Sequence, residues 1–158
     1  IYLKRKEHAK AQKAYEAALA LDAAFPEARY NLGLIYEKKG EISKAVKQWQ
    51  TLIEEDPNES AARERLARLY FRAERYLDAV REYSTLTQVK QNSPEIFFAL
   101  GESQVMLAST LSDPNDRDVL KKMASEAFQR TLELDPKNAE ARKYLARLSA
   151  PKPPAQEK

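Results

Sequence analysis

The chain has no cysteine, one histidine, one tryptophan and three glycines among 158 residues. Without thiols there is no disulfide framework, no thiolate metal site and no cysteine nucleophile, and His8 alone cannot supply a histidine pair for a metal. No run reaches the ~18 to 20 apolar residues that span a bilayer, and no apolar leader with a small-residue cleavage site opens the chain. Blocks of one charge are missing as well. The 27 Lys+Arg and 24 Asp+Glu leave a net +3 that is scattered along the chain, which argues against nucleic acid and against anionic membrane as partners. A Gly-rich phosphate loop is also absent. Lack of cysteine is compatible with cytoplasm and periplasm alike. The first residue is Ile1, and Ile1 to Lys6 read as helix with no capping residue in front, so the sequence reads as a fragment of a longer protein.

What is present is a period. Tyr15, Trp49 and Tyr83 are spaced by 34 residues, as are Ala11, Ala45 and Ala79, and Tyr2, Tyr36 and Tyr70. Leu32, Leu66 and Leu100 keep the same interval, each followed by a small residue, Gly33, Ala67 and Gly101. A fixed period of this length marks stacked units, each too small to bury its own apolar faces. Each unit reads as two helices and a turn. Pro26 opens one helix, Gly40 closes it, and a second helix runs from about Ile42 until Pro57 forbids continuation. The small residues mark close helix approach, and the aromatic rings fill the adjoining holes. Helices are expected near 7–22, 26–39, 42–55, 60–73, 76–90, 94–111, 114–134 and 139–149.

The stretch Pro26 to Glu59, with Tyr30-Asn31-Leu32-Gly33, Tyr36, Gly40, Ala45, Trp49 and Asp56-Pro57-Asn58, resembles the 34-residue tetratricopeptide repeat (TPR). The resemblance covers 1–149: a truncated repeat over 1–25, repeats over 26–59 and 60–93, a fourth over 94–138, and a capping helix over 139–149, before a flexible Pro-rich tail over 150–158. It implies an all-α fold, a right-handed α-α superhelix of antiparallel helix pairs. Three departures stand out. Ala23 and Gln91 take the places of Pro57 and Pro136, predicting less sharply ended helices there. Gln104 replaces the recurring tyrosine. The fourth repeat is 45 residues long, an excess of 11 that predicts a protruding hairpin in which Leu107 and Leu111 meet Val119 and Met123, with Asp113 capping the second helix.

The polar clusters have plain readings. His8 falls in a turn-packing slot and has no second His or Cys to work with. Asp113, Asn115, Asp116 and Asp118 are rich in oxygen, but Arg117 stands where a calcium ligand belongs and no glycine follows, which leaves helix capping. Tyr15, Trp49, Tyr83 and Phe128 share one second-helix slot and read as core. No catalytic, metal-binding or cofactor-binding residue is identified. In the resembled family the first helices line a concave inner surface. That implies a groove with Tyr30, Asn31, Leu34 and Lys38 in the second repeat, Arg65, Arg68, Phe71 and Arg72 in the third, and Phe98 and Glu102 in the fourth.

The expected function is a non-enzymatic scaffold or adaptor holding a partner segment, acidic with apolar anchors, in that groove. Homo-oligomerisation is compatible with the sequence. The alternatives are a regulatory or substrate-recruiting portion of a larger enzyme and a co-chaperone-like module. Family carboxylate clamps use an Asn and a Lys/Arg pair on successive first helices. Asn31 and Arg65 match two of those places, but Ala61 stands where the Lys belongs, so the clamp is incomplete. An asparagine ladder of the O-GlcNAc transferase type is interrupted, because Asn31 is followed in its slot by Arg65 and Ala99.

Overall fold

The computed structural model describes residues 2–150, with side chains from Glu7 onward. The tail expected to be flexible lies, from Pro151 on, outside the described residues. These hold eight helices and no strand: α1 (Tyr2–Leu21), α2 (Pro26–Lys39), α3 (Ile42–Glu55), α4 (Ser60–Arg72), α5 (Tyr76–Val89), α6 (Pro94–Thr110), α7 (Pro114–Leu134) and α8 (Ala139–Ser149). Apart from α1, their ends fall within one residue of those expected. α1 differs because the helix continues through residues 2–6 without a turn. The chain divides into two compact units, residues 1–66 and 67–158, with the boundary inside α4.

In the first unit α1 packs on α2 and α2 on α3. Pro26 occupies the first turn of α2, where a missing N–H does no harm, and Gly40 ends the helix at φ 78°. The Gly40 and Glu41 amides then donate to the Glu37 and Tyr36 carbonyls at 3.0 and 2.9 Å, satisfying the helix end. The centre of the unit is Trp49, 0% exposed, lying on Gly33. A Cβ at Gly33 would come within 2.4 Å of Trp49 Nε1. The indole N–H is not orphaned, since it donates to the Tyr30 carbonyl at 3.3 Å. Ala28, Leu32, Ala45 and Leu52 are among the other buried residues of this unit.

The second unit uses the same parts. α5 packs on α6, α6 on α7 and α7 on α8. Phe128, also 0% exposed, lies on Gly101, where an added Cβ would be 2.8 Å from the ring. Its other face stacks on Tyr144 of α8 at 4.7 Å and 10°. Phe98, Val105, Leu145 and Leu148 close this cluster around Ala124 and Ala141, so α8 covers an apolar face that would otherwise meet water. The buried hydroxyls of Ser103 and Thr131 donate to carbonyls one turn back, at 2.7 and 3.0 Å. Glu74 takes the slot 34 residues after Gly40 and adopts the same left-handed conformation, φ 58°, although it carries a Cβ. Its amide and that of Arg75 repeat the Gly40 pattern, donating to Phe71 and Tyr70 carbonyls at 3.1 and 2.9 Å.

Two expectations change. The junctions at Ala23 and Gln91 end as sharply as the one at Pro57: α1, α3 and α5 stop at Leu21, Glu55 and Val89, all in one register. At the first junction the Asp22 carboxylate accepts from the Ala24 amide at 3.0 Å, as Asp56 accepts from Asn58 at 2.9 Å, so the aspartate makes the turn with or without a proline behind it. In the fourth repeat α6 and α7 are lengthened to 17 and 21 residues, and Asp113 caps α7 by accepting from the Asn115 amide at 2.7 Å. Val119 and Met123, however, are 58% and 42% exposed and do not seal the hairpin. The buried stripe of α7 runs through Ala124, Ala127, Phe128 and Thr131. Helical periodicity carries it back to the half-buried Leu120, which is about 100° around the helix from Val119 and about 60° from Met123.

Tyr144 also donates its phenol to Glu102 at 3.0 Å. Burial, opposed by that hydrogen bond and reinforced by nearby Glu140, raises the Glu102 pKa. The folded state therefore holds the Glu102 proton to higher pH than the unfolded chain does. This group favours folding most below about pH 4.5, and the advantage is lost as pH rises through the folded pKa.

Four outcomes are expected. Trp49→Ala lowers stability by ~3 to 5 kcal/mol and Gly33→Ala by ~1 to 3 kcal/mol, the added methyl outweighing its helix preference, as read by urea denaturation. Glu74→Gly raises stability by ~1 kcal/mol in the same assay, because glycine enters the left-handed region without the Cβ penalty. Glu102→Gln, which still accepts from Tyr144, is more stable than the parent at pH 7, and the difference closes near pH 4.

Candidate functional site

The ten groove residues divide evenly between the two compact units. In the first, Asn31, Leu34 and Lys38 follow one another at helical spacings of three and four along α2, so they share a stripe. Facing it, His8, Ala11 and Tyr15 repeat those spacings along α1. Together with Ile35 the two stripes line an open cavity of about 180 Å³. Its chemistry is mixed. Leu34, Ile35, Ala11 and the Tyr15 ring supply apolar surface, Asn31 an amide that donates to the Glu27 carbonyl at 2.9 Å, and Lys38 an exposed ammonium. A wider opening of about 370 Å³ adjoins it, bordered among the described residues by His8, Ala9, Lys38 and Lys39. Lys39 bridges to Glu41 at 2.6 Å and donates to Gln12 at 3.0 Å.

Tyr30 and Arg65 form a separate cluster in this unit. The Tyr30 hydroxyl accepts from Arg65 Nε at 3.4 Å, and the guanidinium lies 3.8 Å from the Glu37 carboxylate. The Tyr30 ring sits 6.5 Å from that of Trp49, so this tyrosine also supports the core. Arg65 is thus held in place by two neighbours, one of them an acid.

In the second unit Arg68 and Arg72 are exposed on α4, and Phe71 is half-buried, its ring edge-on to Tyr76 at 5.6 Å. Phe98 and Glu102 have a different setting. Phe98 lies 5.6 Å from Phe128 and 5.9 Å from Tyr144, and Glu102 accepts the Tyr144 hydrogen bond, so α8 occupies the face these two present. The capping helix brings its own aromatic residue to the first helix of the fourth repeat.

The sequence reading placed His8 in a turn-packing slot, Ala11 in the repeat pattern and Tyr15 in the core, and assigned none of them to a binding surface. Tyr15 occupies the slot of Trp49 and Phe128, which are fully buried, yet it is half-buried and lines the cavity. Among the described residues no group of acidic and histidine side chains could hold a metal ion, and no helix is long and apolar enough to cross a membrane.

Sequence models described as "TPR repeat" and "Tetratricopeptide repeat" match residues 1–40 and 26–59. Curated protein sequences contain no match. Among solved structures, a tetratricopeptide repeat protein from Parabacteroides merdae is 20% identical, with a TM-score of 0.76 over 93% of this chain and 54% of its own. MamA (residues 41 to the end) from Desulfovibrio magneticus is 18% identical, with a TM-score of 0.71 over 92% of this chain and 76% of its own. The first TPR of Spaghetti (RPAP3), bound to HSP90 peptide SRMEEVD, is 20% identical, with a TM-score of 0.64 over 81% of this chain and 93% of its own. Residues 1–59 thus match tetratricopeptide repeat models, and the described chain shares the helical-repeat fold of tetratricopeptide repeat proteins.

Proposed function

We propose that the chain is a non-enzymatic interaction scaffold, and that α1 and α2 hold a segment of a partner protein. The observation that carries this reading is the convergence of Asn31, Leu34 and Lys38 with Tyr15 on one cavity. An apolar floor about the size of one aliphatic side chain, with an amide and an ammonium at its rim, suits a segment in which an apolar residue stands next to a carboxylate. Burial of that residue supplies most of the affinity. The exposed Lys38 pair adds little to it, at most ~1 kcal/mol, but it guides association. A related TPR domain is known with an acidic peptide, SRMEEVD, which fits the general mode. The clamp reading is weaker for this chain, because Ala61 offers no cation and Arg65 already faces Glu37.

The test is site-specific photo-crosslinking in cell extract, with a benzophenone amino acid at position 34 and, as control, at exposed position 119. Capture of one defined protein from position 34, suppressed by Lys38→Glu, is expected. With that partner in hand, Leu34→Ala should speed dissociation ~10-fold, whereas Lys38→Glu should slow association and flatten its dependence on salt. Capture from position 119 alone would show that the binding face lies elsewhere.

A further inference from the structure

Three of the four junctions that join one repeat to the next are fastened by the same two kinds of side chain. At the first, second and fourth, Asp22, Asp56 and Asp135 accept from the amide two residues on, at 3.0, 2.9 and 3.1 Å. An arginine of the following helix donates to the carbonyl just after each aspartate: Arg29 to Ala23, Arg63 to Pro57 at 2.9 Å, and Arg142 to Pro136. The third junction, between α5 and α6, is built from other residues. Lys90 stands in the aspartate slot, where its side chain offers no acceptor, Gln91 stands in the proline slot, and Phe97 replaces the arginine. The backbone turn is nevertheless the same, since the Ser93 amide donates to the Lys90 carbonyl at 3.2 Å as the Glu59 amide donates to Asp56 at 3.0 Å. Packing beside this junction is incomplete as well. A space of about 300 Å³ lies open between α5, α6 and α7, with Phe97 and Gln104 in its lining. Gln104 is 2% exposed, and its Oε1 has no hydrogen-bond partner. Between α1 and α2 the same two slots form a bonded pair, Tyr36 donating to Glu16 at 3.0 Å; here they hold Gln104 of α6 and Ser84 of α5.

We infer that the junction between α5 and α6 is a hinge, at which α6, α7 and α8 move as one body against α5 and close or reopen the space between α5 and α7. Hinges are a few residues at the ends of elements that absorb a change in φ and ψ, and a turn without the aspartate and arginine ties is the one best able to do so. The elements on either side are tied to their own neighbours. On one side Arg75 lies 4.5 Å from the Tyr70 ring and Phe71 meets Tyr76 edge-on at 5.6 Å, which joins α5 to the end of α4. On the other, Phe128 of α7 lies on Gly101 of α6 and stacks on Tyr144 of α8, and Tyr144 is bonded to Glu102 of α6. Closure also has a contact to favour it. The buried oxygen of Gln104 disfavours the open arrangement, and approach of α5 supplies the Ser84 hydroxyl as its donor, restoring in smaller form the bond between Tyr36 and Glu16. Motion of this kind belongs to the microsecond to millisecond range. It involves α5 to α8 and does not depend on the surface formed by α1 and α2.

Because the chain has no cysteine, spin labels can be placed at two introduced ones in the full chain and the distances between them measured by pulsed electron resonance. Thr85→Cys with Gln129→Cys reports α5 against α7, and Gln129→Cys with Ala146→Cys reports α7 against α8 across the fastened fourth junction; all three positions are exposed. The distance distribution of the first pair is expected to be about twice as broad as that of the second, or to have two maxima. Supplying both ties at the third junction, Lys90→Asp with Phe97→Arg, should narrow it to the width of the control. Ser84→Ala, which removes the closing donor, should move it toward the longer distance. Amide exchange on the unlabelled parent gives a readout that needs no variant to fold: the Ser93 amide should exchange about tenfold faster than its equivalent at Glu59, after correction for local sequence. The inference is overturned if the distribution between α5 and α7 is no broader than the control, if both ties together leave its width unchanged, if Ser84→Ala narrows it, or if Ser93 is protected as well as Glu59.

Discussion

The close approach of a glycine to an aromatic ring is the constraint around which each compact unit is built. Trp49 lies on Gly33 and Phe128 on Gly101, at distances where a methyl group would collide. Such contact lets the first and second helices of a repeat approach until the ring is completely enclosed. Burial of so large an apolar surface then outweighs the modest penalty of placing glycine inside a helix. In the second unit Tyr144 of α8 covers the opposite face of Phe128, which ties the capping helix to the same ring.

That constraint leaves the ends of the helices to local chemistry, and local chemistry is repeated. Gly40 and Glu74 turn the chain through the same left-handed conformation with equivalent amide-to-carbonyl bonds, even though only one of them is suited to it. Asp22, Asp56 and Asp135 each accept from the amide two residues later, so a junction keeps its register where the following proline is missing. Repetition of backbone geometry is therefore more faithful than repetition of residue types. A slot can tolerate an unsuited side chain when its neighbours define the turn.

Where a slot loses its ring, the surface gains a cavity. Gln104 lacks the ring of Tyr36 and leaves the space between α5, α6 and α7. That space follows from a departure from the repeat, because rings that pack perfectly leave no room between helices.

Helix number, the helix ends from α2 onward, and the burial of Trp49, Tyr83 and Phe128 in their shared slot were determined by the sequence alone. Each depends on spacings of 34, on prolines and aspartates at junctions and on the 3.6-residue turn, all of which act over a few neighbouring residues. The exposure of Val119 and Met123 was legible too, had the buried stripe of α7 been followed back from Ala124 to Leu120. Other features were settled only by tertiary packing. Phe98 and Glu102 have the spacing of surface residues, yet α8 lays Tyr144 on both. Arg65 belongs by sequence to a cationic stripe, yet Tyr30 and Glu37 of another helix hold it. The spacing of residues along a helix specifies which of them share a face. What comes to cover that face is specified by a second helix, whose position depends on the packing of everything between.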